Sequence, residues 1–214
     1  MEADIYSDFI FALKKHEVQL DEGQIDRLIQ YYSELVTENE MQNLTRIVEV
    51  DSFVANNVVD VVQLEKSGLL KEKNIDWGSG GGIPGLLHAL LYNRAWVLFE
   101  SERSKADFLK SMVEQFEMTD RVEVVANRIE KFPEIIEGAS IVARAVGSLE
   151  KLLNVITQCS TWNNLVLLKA KKWDEELAAS KNKLKRLKAK EVGRVEYTAG
   201  KDGAYRVIAA INRS

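Results

Sequence analysis

Apolar residues change their rhythm along this chain. Up to Ser67 they recur at helical spacing. Ile25, Leu28, Ile29, Tyr32, Leu35 and Val36 fall on one helix face, three or four residues apart. Ile5, Phe9 and Leu13 form a shorter stripe before it. Phe53-Val54, Val58-Val59 and Val61-Val62 predict a third helix, despite β-branched residues that weaken helix propensity. From Asn74 onward, short apolar runs alternate with helical stripes, the mark of an α/β layer fold. The runs are Asn74–Trp77, Ala95–Phe99, Val122–Ala126, Ile141–Ala145 and Leu165–Leu168. Between them, Leu86 to Leu91 predict one helix and Phe108, Leu109, Met112, Val113 and Phe116 another. Val192–Tyr197 and Tyr205–Ile211 predict a closing hairpin around Gly200-Lys201-Asp202-Gly203. Near-continuous apolar runs fit parallel strands buried on both faces. The expectation is an α/β sheet with helices on both faces, residues 68–214, and a helical extension packed on it, residues 1–67. No internal repeat interrupts this plan.

The first strand runs into Asp76-Trp77-Gly78-Ser79-Gly80-Gly81-Gly82-Ile83-Pro84-Gly85. Glycines permit the positive φ of a tight turn and bring the backbone close to a ligand. Pro84 suits the first turn of the next helix, whose amides and dipole then face the ligand. Two cofactors fit such a cradle. Gly80-x-Gly82-x-x-Gly85 matches the dinucleotide fingerprint, a weak signal alone. Asp76-x-Gly78-x-Gly80-x-Gly82 puts an acid before the glycines, which suits S-adenosylmethionine (SAM) and its cationic methionine end. A purely structural glycine turn is the third reading.

In doubly wound sheets, ligands sit at the carboxyl ends of the strands. That rim collects Asp76, the glycine loop, Glu100, Asn127 to Glu130, Arg144 and Lys169. Glu100 ends the second strand about 20 residues past the glycines, where a carboxylate can hold ribose hydroxyls. Its plainer reading is a solvated charge. Arg144 at the end of a buried strand needs a partner. Asp60 or Asp76 could supply one, or the residue could contact cofactor or RNA.

Charge and composition narrow the chemistry. The 214 residues are long enough for one full core, and the net charge of -4 argues against indiscriminate nucleic-acid coating. Basic residues gather late: Lys169, Lys171 and Lys172, then Lys181, Lys183, Lys185, Arg186, Lys188 and Lys190, expected on one helix. With Trp173 nearby they suit phosphate contacts and base stacking, or they only solvate a helix face. No apolar stretch approaches the ~20 residues that span a bilayer, and Met1-Glu2-Ala3-Asp4 lacks the form of a signal peptide. A cytoplasmic monomer is expected. One cysteine, Cys159, and two distant histidines, His16 and His88, offer no metal site.

Absences point to the acceptor. Only Pro84 and Pro133 exist, so no Asn/Asp-Pro-Pro-aromatic motif for an exocyclic amine is present. Cys159 lies away from the strand ends, in an expected helix, and reads as buried and structural rather than as a nucleophile. An acceptor with a ready lone pair needs neither device. Guanine N7 is one: it has no proton to remove, so alignment and electrostatics suffice.

These residues together resemble the RsmG (GidB) family, bacterial methyltransferases of small-subunit ribosomal RNA that act on guanine N7. The likeness runs from Gln24 to the end. Leu28, Tyr32, Leu35, Asn39 and Asn43-Leu44-Thr45 are similar to its leading helix and Asn-Leu-Thr signature. Val58-Val59-Asp60 resembles its Asp-containing helix, and Asp76 to Gly85 its glycine loop. Glu100-Ser101, Lys105, Phe108-Leu109, Asn127-Arg128-Ile129-Glu130, Ala143-Arg144-Ala145-Val146 and Leu168-Lys169-Ala170 resemble further family segments. The resemblance implies a class I SAM-dependent methyltransferase (Rossmann-like) sheet. Asp76, Gly78, Ser79, Gly80, Gly82, Ile83, Glu100, Ile129, Glu130 and Arg144 would bind SAM. Arg144 and Lys169 would border the reacting groups, with no general base. Lys105, Lys169, Lys171, Lys172, Lys183, Lys185 and Lys188 would meet RNA. This chain departs from the pattern at five places. Asn56-Asn57 stands for the usual Arg-His, Glu38 for Trp, Trp77 for a small apolar residue, Glu100 for Asp, and Ala170 for Gly. Two other classes stay open: a methyltransferase of proteins or small molecules, and a nucleotide-binding module without catalysis.

Overall fold

The structure, a computed structural model, describes residues 2–159 and 161–213; Met1 and Ser214, where the expected extension and core begin and end, lie outside them. Seven strands form one sheet: β1 (Lys73–Trp77), β2 (Ala95–Phe99), β3 (Val122–Val125), β4 (Ser140–Arg144), β5 (Asn164–Ala170), β6 (Ala189–Ala199) and β7 (Ala204–Arg213). Their order is β3-β2-β1-β4-β5-β7-β6. The first five pair in parallel, while β7 runs antiparallel to both β5 and β6. β1 pairs with both β2 and β4, so strand order reverses there. This switch point puts the ends of β1, β2 and β4 side by side, where doubly wound folds bind ligands.

Strand side chains alternate between two apolar layers, which explains their unbroken apolar runs. Ile75, Trp77, Val97, Phe99, Ile141 and Leu165 face one layer, with Leu149, Leu153, Trp162 and Trp173. Trp96, Leu98, Val142, Val166 and Leu168 face the other. That second layer is shared with the N-terminal helices α1 (Glu2–Lys15) and α2 (Glu22–Gln42), through Phe9, Leu28, Tyr32 and Leu35. Helix α2 starts at a capping box, Asp21 with Gln24, and ends at Asn43 in left-handed conformation. The third helical stretch comprises α3 (Val50–Phe53), a π turn (Val54–Val58) and α4 (Val59–Lys66). A π turn widens the helix locally and often sits at functional sites.

The remaining helices are α5 (Gly85–Tyr92), α6 (Arg103–Gln115), α7 (Pro133–Ile136), α8 (Leu149–Ile156), α9 (Trp173–Ala179) and α10 (Lys181–Arg186). Four details differ from the expectation. Pro84 caps α5 instead of opening its first turn. Cys159 follows α8 and is buried there rather than inside the helix. The basic stretch is not one helix: α10 ends at Arg186, and Lys190 belongs to β6. Pairing of Lys190 with Asn212 on β7 outweighs the helix preference of the lysines. Trp173 is 1% exposed and its indole donates to Glu191 Oε1 at 3.1 Å, so it packs in the core and offers no stacking face.

Candidate active site

The glycine loop is pinned from both sides. The amides of Gly78 and Ser79 donate to the Phe99 carbonyl at 2.9 and 3.0 Å. The Gly80 amide donates to Glu100 Oε2 at 2.9 Å, and Glu100 Oε1 accepts from the Glu102 amide at 2.8 Å. From the extension, the Tyr31 hydroxyl donates to the Gly81 carbonyl at 2.6 Å. Burial, reinforced by nearby Asp76, raises the Tyr31 pKa and keeps the phenol a neutral donor. Gly80 has φ +54°, and a Cβ placed there would meet nothing within 4 Å. The loop therefore turns an open, side-chain-free surface toward the rim. Gly85 does the opposite: a Cβ there would sit 2.7 Å from Asp76 Cβ and from Leu98 Cδ2, so glycine lets α5 close on the sheet.

Asp76 is 1% exposed. Its Oδ2 accepts from the Gly85 amide at 2.9 Å, while its Oδ1 is buried without a partner. Burial raises its pKa to about 7, against the opposing pull of the Gly85 bond. An orphaned carboxylate oxygen behind a glycine loop is a place for a cation or donor to complete.

Three clefts meet at the rim. One, of about 310 Å³, has Phe99 and Ile129 as apolar floor, with Gly78, Asn127 and Glu130 around it. A second, of about 200 Å³, lies across Gly78 and is lined by Thr45, Asn57, Gly80, Ile83 and Arg144. Thr45 reaches it because Asn39 Oδ1 accepts the Thr45 amide at 2.7 Å, just past the end of α2. A third, of about 390 Å³, is lined by Asp60, Arg144, Lys169, Tyr197, Tyr205 and Arg206. Arg144 borders the second and third. A larger hollow of about 840 Å³ beside α1, around Ile10, Leu13 and Leu20, shares no residue with this rim.

The third cleft is built around a buried ion cluster. Arg144 Nε lies 3.2 Å from Asp60 Oδ2, and Arg206 Nη1 donates to Asp60 Oδ1 at 2.6 Å. The Tyr197 hydroxyl donates to the same Oδ1 at 2.8 Å. Arg144 thus takes Asp60, not Asp76, as its carboxylate partner. Its Nη2 also donates to Asn57 Oδ1 at 2.7 Å, and Arg206 Nη2 donates to Asn56 Oδ1. The asparagines that stand for Arg-His are therefore acceptors for two arginines. Lys169 Nζ pairs with Glu176 Oε2 at 2.9 Å and donates to the Gly147 carbonyl, which ties β5 to the loop after Arg144.

The expected residues divide by location. Asp76, the glycine loop with Ser79 and Ile83, Glu100, Ile129, Glu130, Arg144 and Lys169 all gather at this rim. Lys105 lies on α6 and pairs with Glu102 at 2.7 Å. Lys171 and Lys172 are exposed just beyond β5. Lys183, Lys185 and Lys188 lie on α10 and the turn after it, and line none of the three clefts. Sequence reasoning missed Tyr197, Arg206 and Tyr31. The first two sit on strands whose apolar pattern drew attention, and a polar residue on such a strand was the available signal.

The family model for rRNA small subunit methyltransferase G (GidB) matches residues 24–202. The chain belongs to this family. Proteins called ribosomal RNA small subunit methyltransferase G are similar over most of their length. That of Pseudothermotoga lettingae is 31% identical over 198 residues, 91% of this chain and 85% of its own. That of Rhodopirellula baltica is 36% identical over 174 residues, 80% and 74% of the two chains. Solved structures share the fold at low identity. The N-terminal domain of human METTL16, in complex with SAH, has TM-score 0.52 and 19% identity over 72% of this chain and 66% of its own. Pyrococcus horikoshii TYW2, in complex with MeSAdo, has TM-score 0.53 and 15% identity over 73% and 62%. The chain is a SAM-dependent methyltransferase of class I fold. Its residues fit that cofactor: a pinned acidic strand end, an open glycine turn and an orphaned carboxylate oxygen stand together. Among the described residues, no helix is long and apolar enough to cross a membrane, and no group of three or more His, Cys, Asp and Glu could hold a metal.

Proposed function

We propose that this methyltransferase modifies N7 of one guanine in small-subunit (16S) ribosomal RNA, as a cytoplasmic monomer. The observation that carries the reading is the placement of the glycine loop between Glu100 and the Arg144–Lys169 end of the rim. SAM supplies an electrophilic methyl group when bound. Glu100 holds the ribose hydroxyls, since each of its oxygens keeps a lone pair beyond the amide it already accepts. Phe99, Ile129 and Glu130 take the adenine. Asp76 lies behind the loop that receives the methionine end.

Arg144 and Lys169 act as positioning cations. Guanine offers O6 beside N7, and both side chains are donors suited to it. Neither abstracts a proton, because N7 carries none. Lys105, Lys171, Lys172, Lys183, Lys185 and Lys188 contact phosphates around the site. Residues 1–67 serve as an extension on the core, residues 68–214. The test is methyl transfer from labelled SAM to small subunits lacking the modification, with the modified base then located. Label on guanine N7 supports the reading. Label on a ribosomal protein instead, or a steep pH–rate limb from a side chain needed deprotonated, overturns it.

A further inference from the structure

The extension reaches into the cofactor site through its π turn. Asn57, in that turn, is 2% exposed. Its Oδ1 accepts from Arg144 Nη2 at 2.7 Å. Arginine has donors only, so the orientation of this amide is decided: oxygen toward Arg144, nitrogen away from it. Asn57 Nδ2 is then left buried with no partner. Buried donors are nearly always satisfied, and an unsatisfied one at a site points to a missing ligand acceptor. Asn57 lines the cleft of about 200 Å³ together with the glycine loop, Thr45 and Arg144.

The identity of the acceptor follows from the shape of the rim, given the SAM reading on which this step rests. The apolar-floored cleft and the Asn57 cleft are neighbours that share Gly78 in their linings. With adenine on Phe99 and Ile129 and ribose at Glu100, a methionine arm passing Gly78 would enter the Asn57 cleft. That arm ends in a carboxylate. We infer that Asn57 Nδ2 donates to this carboxylate, beside the guanidinium that Asn57 Oδ1 holds in place. The extension thereby contributes a cofactor-binding residue, and the same amide orients Arg144 at the boundary with the third cleft.

Calorimetry with two probes tests this. S-adenosylhomocysteine carries the carboxylate, whereas methylthioadenosine has the adenosine and sulfur without it. In Asn57→Asp, one oxygen still accepts from Arg144 and the free N–H becomes a second acceptor. Its affinity for S-adenosylhomocysteine should fall about tenfold or more, the loss of a charge-assisted bond, while methylthioadenosine binds as in the parent. Asn57→Ala, in case the aspartate variant fails to fold, should show the same selectivity. Asn57→His restores a group that can accept on one nitrogen and donate on the other, and should recover most of the lost affinity. Equal loss for both probes, or no loss for S-adenosylhomocysteine, overturns the role of Asn57. A parent protein that binds neither probe instead removes the SAM site on which the inference stands.

Discussion

Asp60 and Asp76 are both buried at the rim, 2% and 1% exposed, yet their surroundings are opposites. Asp60 is saturated: Arg206, Tyr197 and Arg144 between them occupy both oxygens. Asp76 has one amide and one empty oxygen, with no cation in contact. The first holds the third cleft together from inside. The second stands behind the glycine loop without an ion pair of its own, and burial pushes its pKa up to about 7 against the Gly85 hydrogen bond and the field of Arg144. One side of the rim is finished by the protein itself. The other keeps a buried carboxylate oxygen that no protein group meets.

The sharpest way to break this contrast is Asp60→Ala. It strands two half-buried guanidinium groups without a carboxylate, which should remove about 3 to 5 kcal/mol of stability. Urea unfolding at neutral pH measures it. A loss below about 1 kcal/mol would show that water screens the cluster and that Asp60 holds nothing together.

Asp76→Asn should behave in the opposite sense. A carboxyl whose folded pKa lies above its unfolded value binds its proton more tightly in the folded state. Its contribution is therefore fully present below about pH 4 and is lost as pH rises toward about 7. The scale is roughly 1.4 kcal/mol per pKa unit of difference. Against the asparagine variant, which does not titrate, the ligand-free parent should lose stability between pH 4.5 and pH 7.5. Parallel stability profiles for the two proteins would mean that Asp76 is not perturbed.

Gly80→Val tests the ligand side of the contrast directly. Valine at φ +54° is strained, and its branches would fill the open surface of the turn. SAM affinity should fall about 100-fold, near 2.7 kcal/mol, by calorimetry. Unchanged affinity in a folded variant would sink the cradle assignment.

The smallest effect concerns the lysines outside the clefts. Replacing Lys183, Lys185 and Lys188 together by Gln should flatten the salt dependence of RNA binding by up to about one unit of slope per lost phosphate contact. SAM affinity should stay level. If affinity and slope match the parent across a salt titration, these lysines only solvate the edge of the sheet.

The two sides of the rim also differed in how far they could be read from residues alone. The cofactor side is nearly continuous in sequence: β1, its glycines, α5, then β2 ending in Glu100. The acid before the glycines, the positive-φ turn and the acid that follows β2 were all visible, because each depends on neighbours a few residues away. The substrate side was legible only in part. Arg144 stood out as a charge ending an apolar strand, but Asp60 and Asp76 were equal candidates for its partner. Tyr197 and Arg206 went unnoticed, since they reach Asp60 across 137 and 146 residues of chain.

Local periodicity thus determined most element types, their order along the chain and the strand-end rim, because the inward face of each element is a short-range property. Tertiary structure alone decided which partner each long polar side chain took. It turned Asn56 and Asn57 into acceptors for two arginines, withdrew Trp173 into the core, engaged Lys169 with Glu176, and drew Lys190 into a sheet edge. Burial is the physical reason. A buried polar group must find a partner wherever the fold happens to bring one, and spacing along the chain carries no record of that meeting.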